Sequence, residues 1–116
     1  MDDTAKALNS VRTFLARQNI SDGLKNKLVL CMEEIFLNIN EHSELKGNGH
    51  CYDVIIRMER DGILSVVKDD GRPFNPLIIE EEKRGLGLKI LMGICKHVDY
   101  QHMYGQNLLI LQFPYD

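Results

Sequence analysis

A chain of 116 residues with 44% apolar and 27% charged side chains has room for one domain, residues 1–116, and the composition of an ordinary globular protein, which argues against disorder. A formal net charge of -3 without a Lys/Arg cluster argues against a nucleic-acid footprint, no apolar run approaches membrane-spanning length, and Met1-Asp2-Asp3 is too acidic to open a signal peptide. Cys31, Cys51 and Cys95 are odd in number and lack Cys-x-x-Cys spacing, so free thiols packed as small apolar groups in a reducing cytoplasm are expected rather than a zinc site.

Along the chain, Ala7, Leu8, Val11, Phe14 and Leu15 recur at helical spacing and predict a helix from about Asp3 to Gln18. Asn19-Ile20-Ser21-Asp22 breaks it, and Ser21 or Asp22 can cap a second helix from about Asp22 to Ser43, with Leu24, Leu28, Cys31, Ile35 and Ile39 as its buried stripe. Gly47-Asn48-Gly49 ends the helical region. A hairpin follows, Cys51 to Glu59 and Ile63 to Lys68 around Asp61-Gly62. Pro73 to Pro76 must be loop, and a third helix is expected from near Gly85 to about His97. Two last strands, Val98 to Tyr104 and Asn107 to Phe113, pair across Gly105-Gln106. Strands clustered in pairs between helices predict an α+β fold: a two-layer α/β sandwich with helices on one face of a mixed, largely antiparallel sheet.

Three segments carry chemistry. Glu34 and Asn38 are four residues apart, so a helix stacks them on one face, and His42 continues the line. A carboxylate and an amide oxygen suit a hard cation such as Mg²⁺, and the carboxylate can act as a general base in phosphoryl transfer. The bland alternative is a solvated acidic face, but Asn38 is a modest helix former among apolar neighbours and needs a polar partner. Asp69-Asp70-Gly71 leaves an apolar strand. Its carboxylate can accept from an exocyclic amine such as adenine's while the glycine lets a flat ring approach. A plain Asp-Gly turn is the alternative, which Pro73-Phe74-Asn75-Pro76 stiffens more than a turn requires. Gly85-Leu86-Gly87-Leu88 opens the third helix, where glycines and free N–H groups receive phosphates and Lys83 and Arg84 add positive charge. A glycine-rich helix entry packed on the sheet is the alternative; neither a dinucleotide glycine pattern nor a P-loop is present. Leu77 to Arg84, with Glu80-Glu81-Glu82, reads as a short flap or as solvated surface.

Taken together, Glu33-Glu34-Ile35-Phe36-Leu37-Asn38-Ile39-Asn40-Glu41-His42, Asp69-Asp70-Gly71-Arg72-Pro73-Phe74-Asn75-Pro76 and Arg84-Gly85-Leu86-Gly87-Leu88 resemble the N, G1 and G2 boxes of the GHKL ATPase superfamily. Within it, the chain is most similar to the bacterial anti-sigma factor serine/threonine kinases. Val98-Asp99-Tyr100 and Gly105-Gln106-Asn107 also look familial, so the resemblance covers nearly the whole sequence. It implies a histidine kinase-like ATPase fold that binds ATP and Mg²⁺, with Glu34 as general base and Asn38 as the Mg²⁺ ligand. Asp69 would read the adenine amine and Gly71 leave room for the ring. Gly85, Leu86 and Gly87, with Arg84 before them, would line the phosphates beneath a lid formed by Leu77 to Arg84, and His42 would touch phosphates or ribose.

The resemblance further implies a cytoplasmic transcription regulator that phosphorylates a serine on a STAS-type antagonist, binds a sigma factor, and forms a homodimer in many relatives. The sequence departs from the family at Pro73, where many members have a second glycine, and before the first helix, where an edge strand is usual and only Met1 to Thr4 stand. Two alternatives share the three boxes. One is a nucleotide-gated partner-binding module without phosphotransfer. The other is a catalytic domain serving a separate histidine phosphoacceptor, whose helix pair is not seen ahead of the first helix.

Overall fold

The computed structural model describes residues 3–42, 53–78 and 85–116. Among them, three helices and four strands follow in the order α1 (Asp3–Ala16), α2 (Asp22–His42), β1 (Asp53–Met58), β2 (Gly62–Asp69), α3 (Leu86–Ile94), β3 (His97–Met103) and β4 (Gln106–Pro114). The sheet order is β1-β2-β4-β3, and among the described residues every pairing is antiparallel, in keeping with the expected α+β sandwich on a largely antiparallel sheet.

Helix α2 organises the rest. Ser21 is its N-cap: the hydroxyl oxygen accepts from the Leu24 N–H at 3.1 Å, satisfying a donor the helix leaves unpaired, and Asp22 complements the dipole in the first turn. The expected stripe is buried and is widened by Met32 and Phe36, which are 1% and 0% exposed. The helix is therefore apolar on the sides facing both the sheet and its neighbours. Leu8, Val11 and Leu15 bring α1 against it, and Leu88 and Leu91 do the same for α3. Truncating a side chain as enclosed as Phe36 to alanine costs about 3–5 kcal/mol.

Strands β2 and β4 form the centre of the sheet and alternate cleanly. Ile63, Ser65, Val67 and Asp69 are buried on one, and Asn107, Leu109, Leu111 and Phe113 on the other. Apolar members of this set pack under the helices, while Asp69 and Asn107 end the same face as a polar pair directly opposite each other in register. The other face has no helix over it among the described residues. Ile55, Val66 and Ile110 lie abreast there across three strands, flanked by Leu64 and Leu108.

Helix α1 stops at Ala16, two residues short of the expected Gln18, and two further boundaries differ for identifiable reasons. Helix α3 stops at Ile94 rather than near His97, because Cys95 is extended and the Lys96 N–H donates to the Gln112 carbonyl at 2.7 Å, drawing the chain into the sheet. The last hairpin turns at Tyr104-Gly105, one residue earlier than expected, with φ of 52° and 74° and Met103 opposite Gln106. Two positive φ angles in a two-residue loop match the right-handed strand twist. Helix α1 begins at Asp3, and the expected Gly47-Asn48-Gly49 stop, the start of the first strand at Cys51, and residues 79–84 of the flap lie outside the described residues.

Candidate functional site

At the end of β2, the Asp69 carboxylate is 4% exposed, and two donors converge on its Oδ1: the Gly71 N–H at 2.9 Å and the Asn107 side-chain amide at 3.0 Å. The first bond is the local turn that an aspartate makes to its own backbone two residues on. The second comes from β4. Asn107 also donates to the Arg72 carbonyl at 2.9 Å and, at 3.4 Å, to that of Gly71, while its Oδ1 accepts from the Phe74 N–H at 3.2 Å and from the Tyr100 hydroxyl. One buried amide thus ties the loop from residue 69 to 74 onto the sheet. Desolvation pushes the Tyr100 phenol above its ordinary range, the nearby Asp69 charge adds to this, and the Phe74 backbone opposes it.

The loop continues through further ties. Asn75 Oδ1 accepts from the Leu77 N–H at 3.0 Å, and its carbonyl accepts from the Ile78 N–H at 3.1 Å. From α2, the Asn38 amide nitrogen reaches the Pro76 carbonyl at 3.4 Å. The polar partner that Asn38 requires is therefore this loop, and the long bond turns its amide oxygen away from Pro76. Beside Asp69, the Asp70 Oδ1 is buried with no hydrogen-bond partner among the described residues.

One turn back on α2, Glu34 Oε2 accepts from the Gly85 N–H at 2.9 Å. Gly85 is the N-cap of α3 in an extended conformation and makes no side-chain cap bond of its own, so the cap is supplied from another helix. A methyl group on Gly85 would stand 2.3 Å from Glu34 Oε1, and one on Gly87 would stand 2.3 Å from the Leu30 carbonyl. Glycine at both places is what lets α3 start directly on α2. Leu86 between them is 63% exposed. Nearby, burial pushes the Cys31 thiol up to about 12, with Cys95 and Glu34 adding in the same direction. Burial also raises Cys95, against hydrogen bonds to the His97 and Gln112 carbonyls.

The residues singled out in the sequence therefore gather in two groups, one on α2 and one at the end of β2. Glu34, Gly85 and Gly87 meet at the start of α3; Asp69 and Gly71 meet at the end of β2; Asn38 links α2 to the loop after the second group. The His42 side chain and Arg84 lie outside the described residues. A depression of about 390 Å³ sits beside the β1–β2 turn, at the opposite end of β2, and carries none of these groups. Asn107 and Tyr100 had no assigned role in the sequence. The signal was present: Asn107 occupies the buried phase of a strand whose other buried positions are Leu109, Leu111 and Phe113.

Comparison with known proteins bears on the fold and on the family of the chain. In structure, the chain is similar to the histidine kinase domain from the Erythrobacter litoralis EL346 blue-light activated histidine kinase, with a TM-score of 0.61 at 13% identity over 97% of this chain. The chain spans 63% of the length of that domain, and at this identity the likeness speaks for the fold. No curated protein matches it in sequence. The sequence profile of the histidine kinase-like ATPase domain matches residues 1–113, nearly the full length. On that match the chain belongs to the histidine kinase-like ATPase domain family.

Proposed function

We propose that this chain, as one domain over residues 1–116, binds Mg-ATP and transfers its γ-phosphoryl group to a serine or threonine of a STAS-type antagonist, acting as a cytoplasmic anti-sigma regulatory kinase that also binds a sigma factor. The contact that carries this proposal is Glu34 on Gly85: a carboxylate able to act as base stands against a glycine N–H at a helix start, where nucleotide phosphates are received. Asp69, with Gly71 beside it, would accept from the adenine amine. Gly85, Leu86 and Gly87 would line the phosphates, with Arg84 contributing charge and His42 touching phosphates or ribose. Glu34 would take the hydroxyl proton as the serine oxygen attacks the γ-phosphorus, while the bond to the β–γ bridging oxygen breaks and ADP leaves with that electron pair.

The donor set fits magnesium. Asn38 and Glu34 offer oxygen ligands four residues apart on one helix. That suits a hard cation which takes one or two protein ligands and completes its shell with phosphates and water. Bound there through the Asn38 amide oxygen, it would neutralise charge developing on the phosphates.

One observation favours a second reading, a nucleotide-gated binding module without phosphotransfer. Glu34 already caps α3, a structural task that a pure binder needs as much as a kinase does. Incubation with γ-labelled ATP and each STAS-type protein of the same genome separates the two. The kinase transfers acid-stable label to one of them and loses the transfer in Glu34→Gln; ATP binding without label on any of them establishes the module. Acid-labile label on a histidine would instead assign the chain to a separate phosphoacceptor protein. The apolar outer sheet face, with Ile55 43% exposed, supports a homodimer or a protein partner there.

A further inference from the structure

We propose that Asn107, its amide oriented by Tyr100, is the positioning residue that keeps Asp69 a hydrogen-bond acceptor and thereby sets the preference of the site for a 6-amino over a 6-oxo purine. This rests on the nucleotide-binding reading above and adds the source of its base specificity.

The amide of Asn107 has a single orientation compatible with its surroundings. On one side stand three acceptors: Asp69 Oδ1 at 3.0 Å, the Arg72 carbonyl at 2.9 Å and the Gly71 carbonyl at 3.4 Å. On the other stand two donors, the Phe74 N–H at 3.2 Å and the Tyr100 hydroxyl. Turning the amide over would set its oxygen against three acceptors and its NH₂ against a backbone N–H. At 2% exposure no water is at hand to absorb such a mismatch. Asn107 must therefore present its NH₂ to Asp69 and to the Arg72 carbonyl.

With the Gly71 N–H donating to the same oxygen at 2.9 Å, Asp69 Oδ1 accepts from two donors at once. The carboxylate is held in place by two donors and meets a ligand as an acceptor. An exocyclic amine satisfies it. The carbonyl oxygen of a 6-oxo purine meets it as a second acceptor, and two acceptors set against each other at a buried site disfavour that ligand. The register supports this: Asp69 and Asn107 are directly paired across β2 and β4, so the amide is delivered to the carboxylate by the sheet rather than by a loop. Tyr100 is opposite Leu109 on β3, two residues along from Asn107, which brings its hydroxyl to the far side of the amide.

Isothermal titration of ATP and of inosine triphosphate tests this in the wild type, Asn107→Asp and Tyr100→Phe. Asn107→Asp keeps the shape but replaces the donor with an acceptor, so the two carboxylates can share the space only with a proton between them. The wild type should prefer ATP by about 10- to 100-fold, the range for one hydrogen bond to a charged acceptor. The ratio should fall below about threefold in Asn107→Asp and drop about threefold in Tyr100→Phe, which loses only the orienting hydroxyl. A merely structural role would lower the melting temperature and both affinities together and leave the ratio unchanged, which overturns the proposal. If Asn107→Asp does not fold, Tyr100→Phe decides on the same criterion. A wild type that binds both nucleotides equally overturns the specificity role and leaves the nucleotide site standing. A folded wild type that binds neither overturns the nucleotide reading, and this inference with it.

Discussion

The Gly85 N–H donates to Glu34 Oε2 at 2.9 Å, across a gap of 51 residues in the chain. The bond joins the two residues on which the proposed phosphoryl transfer depends, and it gives the carboxylate two tasks. In this structure it caps α3. In the proposed reaction, a phosphate oxygen arriving at that N–H would take its place and release it toward the incoming hydroxyl. Glu34→Gln keeps an acceptor for the cap and removes the base. It should melt within a few degrees of the wild type, bind ATP at least as tightly, and lose about 10²- to 10⁴-fold in transfer rate. Calorimetric titration and labelled transfer on the same preparation check this; weaker ATP binding in the folded variant would contradict the displacement.

The two glycines at the start of α3 should respond differently to alanine. At Gly85 the added methyl meets the end of a flexible side chain, Glu34, which can swing aside. At Gly87 it meets the Leu30 carbonyl, backbone inside α2, which cannot. Gly87→Ala should therefore cost about 1–3 kcal/mol of stability by overpacking. Gly85→Ala should cost less and instead weaken ATP binding. Urea unfolding beside ATP titration tests the contrast, and equal stability losses would refute it.

Tyr104 holds φ of 52° at 98% exposure in the β3–β4 turn. A side chain in that region costs about 1–2 kcal/mol, and asparagine tolerates it far better. Tyr104→Asn should raise the melting temperature by about 4–8 °C for each kcal/mol recovered. An unchanged or lower melting temperature would show that Tyr104 gains something from the turn that its exposure does not reveal.

Alkaline pH should destabilise the fold through Cys31. The buried thiol titrates at about 12, against about 8.5 for an unfolded thiol, so the unfolded chain releases its proton first. The folded state binds more protons between those values, and stability then falls as pH rises. It is fully present below about pH 8.5 and declines by up to about 1.4 kcal/mol per pH unit above it. Cys31→Ala should start less stable, from the lost packing, and show a shallower alkaline decline in urea titrations at pH 8 to pH 10.5. Parallel declines would assign the effect to other groups, Cys95 and Tyr100 being the next candidates.

Much of the fold was legible because burial dictates pattern. The stripe from Leu24 to Ile39 fixes which side of α2 is buried, and the alternation along β2 and β4 fixes which side of each strand is. The end of α3 was less so: Ile94, Cys95 and Lys96 continue a helical pattern, and only the pull of the Gln112 carbonyl on Lys96 ends it. The Tyr104-Gly105 turn was missed for a similar reason, since nothing in a tyrosine announces a positive φ. For the site, Glu34, Asp69 and the glycines are visible as residue types at telling places. The role of Asn107 depends on which residue β4 sets opposite Asp69, and register across four strands is not written in any one segment.

The most direct test of the central claim is calorimetric titration of ATP into the wild type with and without Mg²⁺, beside Asp69→Asn and Asn38→Ala. Asn at position 69 can still accept from Gly71 and Asn107, so that variant should fold while presenting a donor where the adenine amine expects an acceptor. The predicted result is magnesium-dependent binding, lost at least about tenfold in each variant with melting temperatures near the wild type. A folded wild type that gives no heat with Mg-ATP, or variants that bind as well as it does, would contradict a nucleotide site at these residues.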